Sequence, residues 1–373
     1  MKKITFVINE LTLGGEQKVT TMIANQLSDQ NEVEIINFSG SQKSYFETAV
    51  PVVKFQSESR INHFLRKGFS RIVGGVFKKN VSPFFMNRKH LNELLIEIGR
   101  TNPELIVLVA ELPYYTAEIK KFFPNIKVVI WLHNPLQLYY EHIFRYSRPI
   151  FLDALKIADQ VIVLTHQDVK YAKNILELEV ICIYNPLTLT GHSNYQPDST
   201  KIAVAGRYAV YQKGLDYLPR ITEVLQAPWT IQLAGTGSPT EIKKVHALFR
   251  SISKERYSML GALDKEGMVH LFSTSAFYLM TSRFEGLPLV LIEAMHFGLP
   301  IVSFDNVGSR EIIGNNQYGI LIEQGNIEQL TQQIKRLMNN KSLLEKYSKL
   351  SLERSKDFSM EAAMKKWSQI IND

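Results

Sequence analysis

Glu285 and Glu293 are separated by seven residues in the run TSRFEGLPLVLIEAMHFGLPIVS, residues 281–303. The apolar run from Ala276 to Met280 that precedes them reads as a buried strand, and LVLIEAM around Glu293 reads as a helix. Pro288 falls in the first turn of that helix, where a missing N–H costs nothing, and Gly298-Leu299-Pro300 ends it. Glu285 is thus expected on the loop at the carboxyl end of a strand, with Glu293 about two turns down the following helix. Ligands of open α/β sheets bind at such loops. A helix N-terminus offers free N–H groups and a positive dipole end to a phosphate, while carboxylates suit hydroxyl-rich groups. A phosphate with hydroxyls on either side is the chemistry of a nucleotide sugar.

Other residues extend the pattern. In AGRYAVYQKG, residues 205–214, Arg207 lies just past a strand and Lys213 on the turn before a helix. Together they suit a diphosphate, Arg207 by bidentate hydrogen bonds and Lys213 as a point charge; the alternative is two solvated surface cations. Gly14-Gly15 follows the first strand, where glycine lets backbone approach a phosphate or sugar, although many such turns use glycine for geometry alone. His133 in WLHNP ends another strand and could donate to a substrate hydroxyl, or could be a satisfied core histidine. Glu111, after LIVLVA, is a weaker acceptor-side candidate. The turn LAGTGS, residues 233–238, is not a dinucleotide fingerprint, because Thr240 stands where a third glycine or alanine belongs. The chain has no Ser/His/Asp elbow, no His-x-x-x-His pair, no Walker loop and no Asp-x-Asp motif, so no metal is expected.

These residues need a frame, and the chain's periodicity supplies one. Apolar runs at Ile4–Ile8, Val33–Asn37, Val52–Phe55, Leu105–Val109, Val128–Trp131, Gln160–Leu164 and Val180–Tyr184 alternate with helical stretches. Residues 188–200, TLTGHSNYQPDST, read as a linker. A second alternation follows, with strands at Lys201–Ala205, Thr230–Ala234, Tyr257–Leu260, Ala276–Met280, Ile301–Phe304 and Gly319–Ile322. Helices are expected at Leu215–Leu225, Thr240–Phe249, Lys265–Leu271, Leu289–Phe297, Ile327–Met338 and Met360–Ile371. This rhythm predicts α/β architecture with two doubly wound, Rossmann-like domains of parallel strands facing a central cleft. The expected division is residues 1–187, joined by the C-terminal helix 358–373, and residues 188–357.

A hydrophobic fraction of 45% and a charged fraction of 21% over 373 residues are those of an ordinary globular protein. The single cysteine, Cys182, rules out a disulfide framework within the chain. MKKITFVINE reads as a first strand rather than a signal segment, and no apolar run approaches the ~20 residues of a membrane span. The net charge is +7 and the pI about 9.1. Part of this excess lies between Arg60 and Lys89, which include Arg66, Lys67, Arg71, Lys78 and Lys79 and no Asp or Glu. Apolar residues interleave at helical spacing, which suits an anionic membrane surface or lipid phosphate; the alternative is a helix packed on its own domain. The expectation is a cytoplasmic protein, peripheral on the inner membrane face. Nucleic acid is not expected, since no binding motif accompanies the charge.

The motifs resemble the family 4 retaining glycosyltransferases of the GT-B fold. F-E-G-x-P-x-x-x-x-E-A-x-x-x-G-x-P is matched from Phe284 to Pro300, and G-R-x…K-G by Gly206-Arg207 and Lys213-Gly214. Gly14-Gly15 and His133 match two further family features, and the likeness spans nearly the whole chain. Gly14-Gly15-Glu16-Gln17 departs from the usual Gly-Gly-Ala-Glu, and Asp305–Ser309 from the commoner loop before R-E-I-I. The resemblance implies a donor site on the second domain and an acceptor site on the first. Glu293 would bind ribose, Arg207 and Lys213 the diphosphate, and Glu285 with the backbone of Gly286 and Leu287 the transferred sugar. Gly15 and His133 would close over the donor, and the loop Gly261–Leu263 would take the base. The catalytic set would be Glu285, His133, Arg207 and Lys213. The implied reaction moves a hexosyl or N-acetylhexosaminyl unit, with retention and without cofactor, from a nucleotide diphosphate sugar, UDP-linked, to a glycan acceptor. A lipid-linked acceptor in surface polysaccharide synthesis is expected; a sugar synthase or phosphorylase acting on soluble sugars, or a non-catalytic binding protein, are the alternatives.

Overall fold

The computed structural model describes residues 1–38, 46–55, 83–191 and 195–372, with the side chains of 83–88 excepted. Two compact units form, one of Met1–Tyr184 with Ala363–Asp373 and the other of Asn185–Ala362. The sequence expectations at Arg66, Lys67, Arg71, Lys78 and Lys79 lie outside the described residues.

Among the described residues, the first unit holds seven parallel strands. These are β1 (Lys3–Ile8), β2 (Glu32–Asn37), β3 (Val52–Lys54), β4 (Leu105–Val109), β5 (Lys127–Trp131), β6 (Gln160–Val163) and β7 (Ile181–Cys182). Their spatial order is β3-β2-β1-β4-β5-β6-β7. Chain direction across the sheet reverses between β1 and β4, where Ile4 pairs with Leu105. All five residues of β4 are buried, as expected of a central parallel strand covered on both faces. Trp367, on the helix Met360–Asn372, packs its ring 4.9 Å from Trp131 and 5.9 Å from Phe6.

The second unit repeats the plan with β8 (Lys201–Ala205), β9 (Thr230–Ala234), β10 (Tyr257–Gly261), β11 (Phe277–Met280), β12 (Ile301–Phe304) and β13 (Ile320–Ile322). The order is β10-β9-β8-β11-β12-β13, all parallel, so the switch point lies between β8 and β11. Every residue of β11 and β12 is buried.

Two local departures from the sequence expectation have clear causes. The expected helix Leu215–Leu225 is broken into Val210–Lys213, a 3₁₀ turn Leu215–Tyr217 and Leu218–Glu223. Gly214 takes the left-handed conformation (φ 61°) between the first two, which ends one helix and redirects the chain. The helix Lys341–Ser355 is not evident from hydropathy, because its buried face is Leu344, Ser348, Ser351 and Ser355. Those small hydroxyl residues allow close packing against the segment after helix Leu289–His296, and Ser351 donates a 2.8 Å hydrogen bond to the carbonyl of Leu299.

Candidate functional site

In the second unit the switch point brings two distant loops together. Lys213 follows β8, Glu285 follows β11, and the Lys213 ammonium meets Glu285 Oε1 at 2.6 Å. The two side chains are only 17% and 9% exposed, so this is a largely desolvated pair. Glu285 precedes the helix Leu289–His296, whose N-cap residue is Pro288 and whose N-terminus no side chain among the described residues caps. Pro288 thus sits one position before the first turn expected from sequence; the Leu291 N–H donates to Pro288 O at 3.1 Å, which leaves the Leu289 and Val290 N–H groups of the first turn to face an anion. Glu293 lies on the same helix, is 6% exposed, and accepts a 2.5 Å hydrogen bond from Thr188 Oγ1.

The loops at this end of the sheet are tied sideways by backbone hydrogen bonds. Gly206 N–H donates to Ala234 O at 3.1 Å, Tyr208 N–H to Thr236 O at 2.7 Å, and Gly235 N–H to Gly261 O at 2.7 Å. A Cβ on Gly235 would lie 2.0 Å from Gly206 O, so the glycine of LAGTGS serves strand-end packing here. Tyr278, buried on β11, reaches across to β8: its hydroxyl donates to Ala205 O at 2.8 Å and accepts from Ala205 N–H at 3.2 Å. Burial first, and then the nearby Glu285 and Glu293, push its phenol well above the ordinary range. Arg207 is exposed at the tip of this layer and donates to Gln212 at 3.4 Å. Gly261 is left-handed (φ 69°) with open space where a side chain would stand, and Leu263 beside it is half-buried.

The loop Asp305–Ser309 also has a structural explanation. Asn306 caps the helix Val307–Ile313 in a reciprocal capping box with Ser309, and its amide donates to Ser282 O at 3.1 Å. A Cβ on Gly308 would stand 2.6 Å from Gly286 O and 2.7 Å from Pro288 Cδ. Gly308 therefore lets this helix press directly on the loop that carries Glu285 and Gly286, with Leu287 buried beside them.

The first unit has its own polar cluster at its switch point. Asn9, after β1, donates to Glu111, after β4, at 3.1 Å. Glu16 opens the helix Gly15–Leu27, whose N-cap Gly14 is extended and supplies no side chain. Burial, then Glu111 and Glu10, push the Glu16 carboxyl up to about 8. Burial also raises Glu111, partly offset by the Asn9 bond. His133 is buried, its ring centroid 4.3 Å from that of Trp131, and its Nε2 has no hydrogen-bond partner among the described residues. Desolvation pushes it down to about 3, so it is a neutral imidazole at physiological pH.

Arg283, Asp216, Thr188 and Tyr278 were not singled out from sequence. Arg283 adjoins the Glu-x7-Glu stretch, and that adjacency was the only available signal. Thr188 and Asp216 meet their partners over separations of 105 and 67 residues.

The profile of glycosyl transferases group 1 matches residues 199–340. Over full length, the chain is 26% identical to an uncharacterized glycosyltransferase of Haemophilus influenzae, covering 100% of both chains. It is 23% identical to the GalNAc-α-(1→4)-GalNAc-α-(1→3)-diNAcBac-PP-undecaprenol α-1,4-N-acetyl-D-galactosaminyltransferase of Campylobacter jejuni, covering 100% of this chain and 98% of the relative. Among solved structures, a variant of S. aureus TarM in complex with fondaparinux, α-GlcNAc-glycerol and UDP superposes with a TM-score of 0.76 at 16% identity, covering 100% of both chains. No helix among the described residues is long and apolar enough to cross a membrane. The chain therefore has the GT-B fold, and its residues 199–340 are similar to the group 1 glycosyl transferases.

Proposed function

We propose that the protein is a retaining glycosyltransferase that moves a hexosyl or N-acetylhexosaminyl unit from a UDP-linked sugar to a lipid-linked glycan in surface polysaccharide synthesis. The observation that carries this reading is the Lys213–Glu285 pair at the β8/β11 switch point, beside an uncapped helix N-terminus. A diphosphate at that N-terminus would find the Lys213 ammonium and the exposed Arg207 guanidinium nearby. Glu293, on the same helix, would accept from ribose hydroxyls, and Glu285 from a hydroxyl of the transferred sugar. UDP in the TarM complex and the PP-undecaprenol in the Campylobacter name support the donor and the acceptor class.

In the proposed reaction the acceptor oxygen bonds to the anomeric carbon as the bond from that carbon to the diphosphate oxygen breaks. The electron pair leaves with the diphosphate, whose oxygen takes the acceptor proton on the same face. Charge grows on the leaving diphosphate as the sugar becomes oxocarbenium-like, so Lys213, Arg207 and the helix N-terminus act where charge develops. His133, neutral and buried, can donate a hydrogen bond and carries no charge of its own into the reaction.

A panel of nucleotide sugars, assayed for transfer and hydrolysis, tests the donor. Retained anomeric configuration in the product, read by NMR, is the expected outcome; an inverted product would overturn the mechanism. The lipid-side reading rests on the charge pattern of residues 60–89. Unchanged membrane floatation after Arg66→Glu, Lys67→Glu and Arg71→Glu together would remove it.

A further inference from the structure

We propose that Arg283 is a positioning residue for Lys213, acting through the loop 211–217 and resting on the role given to Lys213 above. Arg283 lies two residues before Glu285, at the carboxyl end of β11. Its guanidinium binds Asp216 through two parallel hydrogen bonds, Nη1 to Oδ1 and Nη2 to Oδ2, both 2.7 Å. Nη1 also donates to the Tyr211 carbonyl at 2.7 Å. The guanidinium carbon stands 4.7 Å from the Tyr211 ring centroid and 4.3 Å from that of Tyr217. The backbone adds to the grip: Arg283 N–H donates to Gln212 O at 2.8 Å, and Thr281 Oγ1 to Lys213 O at 2.9 Å.

The result is a loop gripped on both sides of Lys213. The Arg283 side chain and backbone N–H, with the Thr281 hydroxyl, hold Tyr211, Gln212, Lys213, Asp216 and Tyr217. The same short segment then delivers Glu285 to the Lys213 ammonium. A lysine is a point charge on a flexible four-carbon stem, so its placement depends on where the backbone is fixed and what holds the head. Glu285 holds the head and Arg283 fixes the backbone. A lysine at position 283 would keep the charge but lose the planar fork that meets Asp216 and the Tyr211 carbonyl together.

The inference separates from a general structural role through a double-mutant cycle. Arg283→Ala is expected to lower kcat/KM for the nucleotide sugar about tenfold, and less than about twofold further when Lys213 is already alanine. Arg283→Lys and Asp216→Asn should fall between, and serve if Arg283→Ala folds poorly. Equal losses in both backgrounds would show that Arg283 acts independently of Lys213 and would overturn the proposal, while leaving the transferase reading intact. A second readout needs no turnover: amine acylation of Lys213, followed by mass spectrometry on the ligand-free protein. Lys213 should label several-fold faster in Asp216→Asn and Arg283→Lys than in the wild type, as its loop loosens. An unchanged labelling rate would sink the inference even if the wild type transferred no sugar.

Discussion

Thr188 Oγ1 donates a 2.5 Å hydrogen bond to Glu293 Oε1, joining the segment that enters the second unit to the buried carboxylate of the Glu-x7-Glu stretch. A hydroxyl facing this carboxylate is what a ribose would present to it. The contact therefore shows that Glu293, although only 6% exposed, can accept from a hydroxyl at hydrogen-bond distance. Hydrogen bonds to charged groups contribute about 1.5–3 kcal/mol. Thr188→Val is accordingly expected to lower stability by about 1–2 kcal/mol in urea unfolding and to raise the donor KM with little change in kcat. An unaltered unfolding midpoint would show that the bond is not maintained in solution.

The Lys213–Glu285 pair should behave as a buried ion pair. Lys213→Met leaves Glu285 largely desolvated without its cation and should cost about 3 kcal/mol of stability, with a large loss of kcat. Replacing both residues by methionine should recover much of that stability, because neither buried charge remains, yet restore no activity. Chemical denaturation and kinetics of the three variants check this. Recovery of turnover in the double variant would show that the pair is structural alone.

Gly214 has φ 61°, and a Cβ there would stand 2.0 Å from Thr281 O. Gly214→Ala therefore meets both a left-handed backbone and a backbone collision that no side-chain rotation relieves. The expected outcome is a loss of more than about 2 kcal/mol together with reduced donor affinity, since the displaced residue adjoins Lys213. Thermal melts and nucleotide titration would measure the two effects separately.

Glu16 should give the protein an unusual pH dependence. Its folded-state pKa is raised to about 8 from an ordinary 4.5, so between those values the folded state holds a proton the unfolded state has lost. Stability from this group is present below pH 4.5 and is lost as pH rises towards 8. Glu16→Gln removes the effect, so its advantage over the wild type should grow by on the order of 1–3 kcal/mol from pH 5 to pH 8. The full 1.4 kcal/mol per pH unit is not expected, because the side chain keeps a solvent edge and sits in a helix first turn that favours its charged form. Parallel urea titrations of both proteins at the two pH values would expose a constant difference, which is the contrary result.

His133 works in the opposite pH window. Its pKa falls to about 3 on burial, so between 3 and 6.5 the unfolded state binds a proton that the folded state refuses. Stability is then lost as pH falls through that range. Relative to His133→Asn, the wild type should lose about 3 kcal/mol between pH 7 and pH 4. Imidazole resonances followed by NMR should show no titration of His133 above pH 5, and a midpoint near 6.5 would contradict its burial.

The sequence by itself determined the strand content, the parallel βαβ plan and the placement of Arg207 and Glu285 just past strand ends, Lys213 in the segment after β8 and Glu293 on the helix after β11. Short continuous apolar runs such as LIVLV and FYLM, bounded by turn formers, suit strands covered on both faces, and glycine and proline mark where such runs stop. The helix Lys341–Ser355 escaped because its inward face is mostly serine, chosen for close approach rather than hydropathy. What only the tertiary structure decided was pairing. Lys213 meets Glu285 across 72 residues, Arg283 meets Asp216 across 67, and Thr188 meets Glu293 across 105. Periodicity reports which face of an element is buried, but not which loops the strand order brings together. In the second unit that followed from β8 lying beside β11, a neighbour relation set by packing of the whole sheet.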